Sequence, residues 1–347
     1  MKLTIAMCTY NGAQYIQEQL ESIALQTRLP DELVVCDDRS TDTTRDIVEA
    51  FARQSPFPVQ LSVNEKTLGP SQNFARAISL CRGELIFLAD QDDAWHTEKL
   101  ARIESVFETR PDVGLVFTNA EIADENLRPL GYLAWECQGV ELGPQEQRLF
   151  RAGRGLDVLL TRNVVTGATI AFRAAFKTLI LPIPDESQWM LHDYWIAALV
   201  AAVSDVALID EPLVKYRRHQ NQHTGLTSPV AVNHQRQVSA DAFNQAYPIK
   251  ENLVRLIYER LSEENKSGAY EKASSKLAHL QARAHLQHDT FIVRAYKTLR
   301  ELLTLRYHLY SNGLRSAAKD LSVPHKFLQL GSFFVGSQAV RSKAKKL

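Results

Sequence analysis

Three carboxylates stand within four positions at Asp90, Asp92 and Asp93, directly after the apolar run Leu85-Ile86-Phe87-Leu88-Ala89. Acids this close repel one another when ionised, and a bound cation is the direct way to hold them charged together. Mg²⁺ or Mn²⁺ on such oxygens could neutralise a phosphate-bearing ligand. The plainer alternative is a polar turn that caps the next helix, a role that suits Asp93 as well as ligation does. A second acidic pair, Asp37-Asp38, ends the run Leu33 to Cys36. Asp193 stands in the polar start, Leu191-His192-Asp193, of an apolar helix. A carboxylate there could take a proton from an attacking hydroxyl, or simply complement the helix dipole. Arg217-Arg218-His219 adds guanidinium groups suited to phosphate and an imidazole. Only one of two neighbouring arginines faces inward on a strand.

The elements that must position these groups follow from the hydrophobic pattern. Residues 3–9 read as a strand ended by Asn11-Gly12, and Ile16, Leu20, Ile23 and Thr27 then repeat at helical spacing. Strands at 33–36, 59–63 and 85–89 alternate with helices marked by Ile47, Val48 and Phe51, and by Phe74, Ala77, Ile78 and Cys81. Pro70 suits the first turn of the second of these helices. This β-α-β-α-β-α-β order predicts a doubly wound, mainly parallel sheet. Right-handed connections then bring Thr9-Tyr10-Asn11, Asp37-Asp38 and the Asp90 cluster to one edge, where ligands of open α/β sheets bind. Leu100, Ile103 and Phe107 mark a helix, and 113–118 a further strand. Residues 121–154, rich in Gly, Pro and charge, read as loops with a mobile flap. A strand over 165–172, a helix over 189–203 and short strands at 206–209 and 212–216 complete the pattern. From about 235 onward it is helical, amphipathic and basic.

Composition bounds the class. The chain has 347 residues, 45% hydrophobic and 23% charged, enough for a sizeable core. Its formal net charge is zero. Residues 266–347 nevertheless hold 15 Lys/Arg against 4 Asp/Glu, so the rest of the chain is correspondingly acidic. The four cysteines, Cys8, Cys36, Cys81 and Cys137, form no CxxC pair and read as buried thiols of a reducing compartment. No segment supplies the ~18 apolar residues that span a membrane.

The chain resembles a family 2 glycosyltransferase of the GT-A fold, close to rhamnosyltransferase-like members. The resemblance rests on Ala6-Met7-Cys8-Thr9-Tyr10-Asn11, on 35–42 with Asp37-Asp38, on Asp90-Gln91-Asp92-Asp93-Ala94-Trp95, on Gly167-Ala168, on His192-Asp193-Tyr194-Trp195, and on Tyr216-Arg217-Arg218-His219-Gln220-Asn221. It implies a GT-A domain over 1–230, with a donor nucleotide-binding half at 1–120 and an acceptor-side half at 121–230, followed by a helical basic region at 231–347. It also implies an inverting, metal-dependent hexosyl transfer from a nucleoside-diphosphate sugar, with dTDP-rhamnose favoured, to a hydroxyl of a saccharide or lipid-linked acceptor in bacterial cell-surface polysaccharide synthesis. Thr9, Tyr10, Asn11, Asp37, Asp38, Asp90, Gln91 and Arg217 would line the donor, either Asp37 or Asp38 holding the base. Asp92 would bind Mg²⁺ or Mn²⁺, with Asp90 and His219 as further ligands, and Asp193 would be the general base. Trp95, Gly167, His192 and Trp189 would face the acceptor.

Two other functions compete. A nucleotidyltransferase also joins such a sheet to acidic ligands, but it calls for a basic loop after the first strand, and no cation follows Thr9 until Arg28. A non-catalytic sugar-nucleotide-binding scaffold would not need the Asp90, Asp92 and Asp193 set. The basic C-terminal region points to peripheral association with anionic lipid at the cytoplasmic membrane face, or to a packing or homo-oligomerisation module. Nothing in the sequence suggests a nucleic-acid partner.

Overall fold

The computed structural model describes residues 1–184, 192–220, 222, 226, 251–252, 254–262, 267–286, 289–311 and 313–321. It divides into two units, Met1–Ala278 and His279–Leu347. The expected boundary at 230 falls outside the described residues.

The first unit is built on one sheet. Its strands are β1 (Leu3–Thr9), β2 (Glu32–Asp37), β3 (Val59–Val63), β4 (Leu85–Ala89), β5 (Ala94–Trp95), β6 (Val113–Ala123), β7 (Pro129–Leu133), β8 (Ile170–Arg173) and β9 (Asp205–Arg217). The order across the sheet is β3-β2-β1-β4-β8-β6-β9-β5, with β7 on β6. Strands β1 to β4 are mutually parallel, and every residue of β1 and β4 is buried. A strand covered on both faces must be apolar throughout, which is why these read as unbroken runs. The covering helices are α1 (Ile16–Ala24), α2 (Thr44–Ala52), α3 (Pro70–Leu80), α4 (Lys99–Thr109), α5 (Pro144–Arg151), α6 (Gly155–Leu159), α7 (Lys177–Ile180) and α8 (His192–Val203). Helix α9 (Ser267–His285) follows.

The register fixes the functional edge. Thr9 stands opposite Asp37, and Met7 opposite Ala89, so β1, β2 and β4 end together. Strand β8 pairs antiparallel with β4 and β6. Its first residue therefore lies at the edge where β4 ends, and the turn before it, Gly167–Thr169, joins the acidic loops.

Three expectations are corrected. Residues 165–172 are not one strand: Gly167–Thr169 is a 3₁₀ turn and pairing begins at Ile170. The Gly167 N–H goes to the Asp193 carboxylate instead of a ladder. The segments 206–209 and 212–216 form the single strand β9, whose register against β6 shifts between Ile209 and Pro212. That bulge accommodates Pro212, which has no N–H to donate. Residues 121–154 are not simply loops. Strand β6 runs on to Ala123 and returns as β7 through a turn in which Asp124 accepts the Asn126 and Arg128 amides at 2.9 Å. The Asx turn overrides the local Gly and charge content.

The second unit packs α10 (Phe291–Leu303), α11 (Arg306–Tyr310) and α12 (Gly313–Leu321) around buried polar groups. His279 bonds Glu301 and Ser311 at 2.9 Å, and the Tyr307 hydroxyl donates to Asp320 at 2.6 Å. Among the described residues, no helix is long and apolar enough to cross a membrane.

Close backbone approach gives a stability test. A Cβ on Gly83 would lie 2.8 Å from the Lys2 carbonyl, just before β1, and 2.9 Å from the Thr4 nitrogen within it. Gly83→Ala is expected to lower stability by about 1–3 kcal/mol through forced backbone shifts, measured as a lower urea midpoint at unchanged m.

Candidate active site

The acidic turn between β4 and β5 is held from below. Asp93 is fully buried, and its Oδ1 accepts the Arg217 backbone N–H at 3.0 Å. The Arg217 side chain, 1% exposed, donates through Nε to the Asp92 carbonyl at 2.6 Å. It also bonds the Glu125 carbonyl and the Glu18 carboxylate, and its guanidinium lies 4.5 Å from the Tyr15 ring centroid. Arg217 was expected to hold donor phosphate; instead its guanidinium is engaged in bracing the turn. Arg218 donates to the Tyr132 hydroxyl at 2.8 Å.

Above the brace, Asp92 Oδ2 and His219 Nε2 are 2.9 Å apart. Burial, reinforced by the charges of Asp92 and Asp193, pushes the Asp90 carboxyl up to about 7. Burial likewise raises Asp93, whose Oδ2 has no partner among the described residues. Crowded acids of this kind fit a cation, and an oxygen-plus-imidazole donor set fits Mn²⁺ or Mg²⁺. Among the described residues no three His, Cys, Asp or Glu converge into a ready-made metal cage.

Between the acidic turn and β1, Gln91 closes over the first loop. Its Oε1 accepts the Tyr10 N–H at 2.9 Å and its Nε2 donates to the Tyr10 carbonyl at 3.0 Å. Gly12 leaves room for it, since a Cβ there would meet Gln91 Oε1 at 2.1 Å. Tyr10 is left about half exposed. Asn11 adopts φ 48°, and its Oδ1 accepts the Thr41 amide at 2.8 Å. Both acids after β2 are engaged. Asp37 accepts from the Thr9 hydroxyl and the Ser40 N–H at 2.8 Å. Asp38 accepts from Asn64 and Leu68 at 2.7 Å and from Gly69 at 2.8 Å. Asp37 also takes the Ser40 hydroxyl, so three donors anchor each carboxylate, and one acceptor position is left on Asp37 Oδ1 and on Asp38 Oδ2. Beside them Arg39, Ser40, Thr41, Arg45, Val63 and Asn64 line a hollow of about 330 Å³.

A further carboxylate of this edge comes from α8. Asp193 Oδ2 accepts the Gly167 N–H at 3.2 Å, while Oδ1 accepts from Asn163 at 3.3 Å and from the Tyr194 N–H at 2.6 Å. Three donors orient the carboxylate and leave an acceptor position on Oδ2. Burial, the largest influence, pushes the Asp193 carboxyl up to about 6 against those bonds. The preceding His192 stacks on Phe74 with centroids 3.9 Å apart. Neither of its ring nitrogens has a partner among the described residues, and burial lowers its pKa to about 3, so the imidazole is neutral. Trp95 does not face an acceptor: it is 5% exposed, with the Lys99 ammonium 3.5 Å from its ring centroid. Trp189 lies outside the described residues.

Lys99 escaped the sequence reading. It is fully buried at the start of α4 and donates to the Ala168 carbonyl at 2.7 Å. The available signal was its spacing, since Lys99, Ile103 and Phe107 fall on one apolar helix face.

The architecture is similar to that of known proteins. The chain aligns with the crystal structure of TarS 1–349 from S. aureus in complex with UDP at a TM-score of 0.52 and 19% identity, covering 92% of this chain and 90% of that one. It is 27% identical over 263 residues to an uncharacterised glycosyltransferase of Nostoc sp., covering 74% of this chain and 77% of the relative. It is 29% identical over 231 residues to the dTDP-rhamnosyl transferase RfbG of Shigella flexneri, covering 63% of this chain and 73% of that protein. The glycosyl transferase family 2 profile matches residues 4–179, more than half of the chain and including Asp37, Asp38, Asp90, Asp92 and Asp93, and the protein belongs to that family.

Proposed function

We propose that this glycosyltransferase moves a sugar, with inversion, from a nucleoside diphosphate to an acceptor hydroxyl. The carrying observation is that the Asp90–Asp93 turn and the Asp193 carboxylate share one sheet edge, near enough for Asp193 to raise the pKa of Asp90. Asp92 and His219, with Asp90 beside them, would hold a divalent cation, which would supply positive charge toward a departing diphosphate. Asp193 Oδ2 takes the proton of the attacking hydroxyl, and Gly167 and Asn163 hold the carboxylate in place. With the base on the acceptor side and charge compensation on the leaving-group side, a single displacement suffices. Donor binding involves the Tyr10–Gln91 clasp and the loop at Asn11. The name of the Shigella relative supports a dTDP-rhamnose donor.

The second unit supports a location for this chemistry. On α10, Ile292, Tyr296, Leu299 and Leu303 recur at helical spacing and are 80%, 67%, 55% and 76% exposed. A basic region carrying such a face suits the surface of an anionic membrane, where a lipid-linked acceptor would reside.

Asp193→Asn is expected to keep donor binding within about threefold by calorimetry while lowering kcat by roughly 10²–10⁴. Donor binding lost together with turnover would sink the assignment of Asp193 as base. Wild-type protein that transfers from none of a panel of nucleotide sugars would instead favour a scaffold. Since the Asp193 carboxyl is raised to about 6, the base is protonated below that pH. Therefore kcat should fall about tenfold per pH unit below about 6 and level off above it, a limb that Asp193→Asn should lack. Finally, the protein should float with phosphatidylglycerol vesicles at low salt and be released by high salt. Equal recovery with neutral vesicles, or none with either, would refute the membrane reading.

A further inference from the structure

A fully buried lysine needs a physical reason. Its ammonium loses hydration, which is costly unless the protein replaces those contacts. At position 99 the apolar face of α4 would accept a hydrocarbon side chain without that cost. The chain instead directs Nζ to the Ala168 carbonyl at 2.7 Å and lays it 3.5 Å from the Trp95 ring centroid. These two contacts belong to opposite halves of the site. Trp95 ends the short strand that follows Asp90–Asp93. Ala168 lies in the 3₁₀ turn whose neighbouring Gly167 N–H donates to Asp193 Oδ2 at 3.2 Å. Burial holds the Lys99 amine well below the usual lysine range, and the charges of Asp93 and Asp90 only partly offset it, while the hydrogen bond to Ala168 is one that either form of the amine donates.

We propose that Lys99 is a positioning residue: by tying the Gly167–Thr169 turn to the segment after the acidic turn, it fixes where the Asp193 carboxylate stands relative to Asp90 and Asp92. The turn has reason to need such a tie. Its Gly167 is closely approached by His192, with a would-be Cβ only 2.9 Å from Nε2, so the backbone there is held without a side chain of its own. If the turn shifted, the Gly167 amide would move with it, and so would the base. Misplacement of about 1 Å can cost as much as 10²-fold in rate. Lys99 acts through the backbone and touches no reacting atom. The inference rests on the reading of Asp193 as the general base.

The test compares Lys99→Met, which keeps the length but removes the donor, with Lys99→Gln, whose shorter amide retains an N–H. Lys177→Met serves as control, because Lys177 Nζ also donates to backbone carbonyls, those of Ser79 and Cys81, away from the acidic edge. The expected result is a kcat for Lys99→Met lowered about tenfold or more, donor KM within about twofold, at least a threefold recovery in Lys99→Gln, and no change of kcat in Lys177→Met. Where Lys99→Met does not fold, Lys99→Leu takes its place. A folded neutral variant with kcat within twofold of wild type overturns the proposal. So does a loss confined to KM, or a Lys99→Gln no better than the apolar variants. These outcomes are read against a wild type that transfers sugar; a wild type inert with every donor would be a failure of the glycosyl-transfer reading instead.

Discussion

Carboxylate crowding in a buried turn is the constraint on which the rest of the site depends. Asp90, Asp92 and Asp93 follow a strand covered on both faces, so water cannot fully screen them. The protein's answer is layered. Arg217 lies beneath, tied to the Asp92 carbonyl and, through its backbone N–H, to Asp93. Lys99 lies to one side with its ammonium inside the core. Neither forms a direct side-chain ion pair with these carboxylates, so charge remains uncompensated at the open face of the turn. Burial, with the charges of Asp92 and Asp193 beside it, raises the Asp90 carboxyl to about 7. Acids already paired with arginines would have little affinity left for a cation, and this turn avoids that pairing.

The second constraint is topological. A parallel α/β sheet gathers its strand ends at one edge, but a displacement reaction needs groups on both sides of the bond that breaks. One antiparallel strand solves this. Because β8 runs against β4, its beginning meets the end of β4. The Gly167 turn arrives at the acidic edge with its N–H groups not yet committed to a ladder. Asp193 then needs only to start a helix nearby, and α8 provides it. The Asp193 carboxylate is thus placed by a strand reversal, and its separation of about 100 residues from the acidic turn does not keep it from the same edge.

Much of this was legible in the sequence because it follows from short-range patterns. The apolar runs ending in Asp37 and Asp90 mark strands whose ends must align, and the register bears that out with Thr9 opposite Asp37. What stayed hidden depends on partners distant in the chain. Nothing near Arg217 signals that its guanidinium bonds Glu18, 199 positions away. Nothing near Asp38 signals that Leu68 and Gly69 take its oxygens. Trp95 looked like a stacking platform because an aromatic beside acids suits sugars, yet Lys99 covers its ring. The strand drawn through Gly167 failed for the converse reason: its residues are apolar enough for a strand, but the amide of Gly167 has a stronger acceptor in Asp193.

The two acids after β2 show how a binding motif can also serve the fold. Asp37 holds Thr9 and Ser40, and Asp38 gathers Asn64, Leu68 and Gly69, so the pair closes the loops after β1, β2 and β3 into one rim. Gly69, at φ 79°, opens α3, so the Asp38 bond also fixes where that helix begins. Helix α3 in turn carries Phe74, on which His192 stacks beside Asp193. A ligand that drew Asp38 away from Leu68 and Gly69 would therefore loosen the start of the helix that supports His192 and Asp193. Charge-assisted hydrogen bonds to backbone amides resist that exchange, so the Asp38 clasp holds the rim and the helix start together.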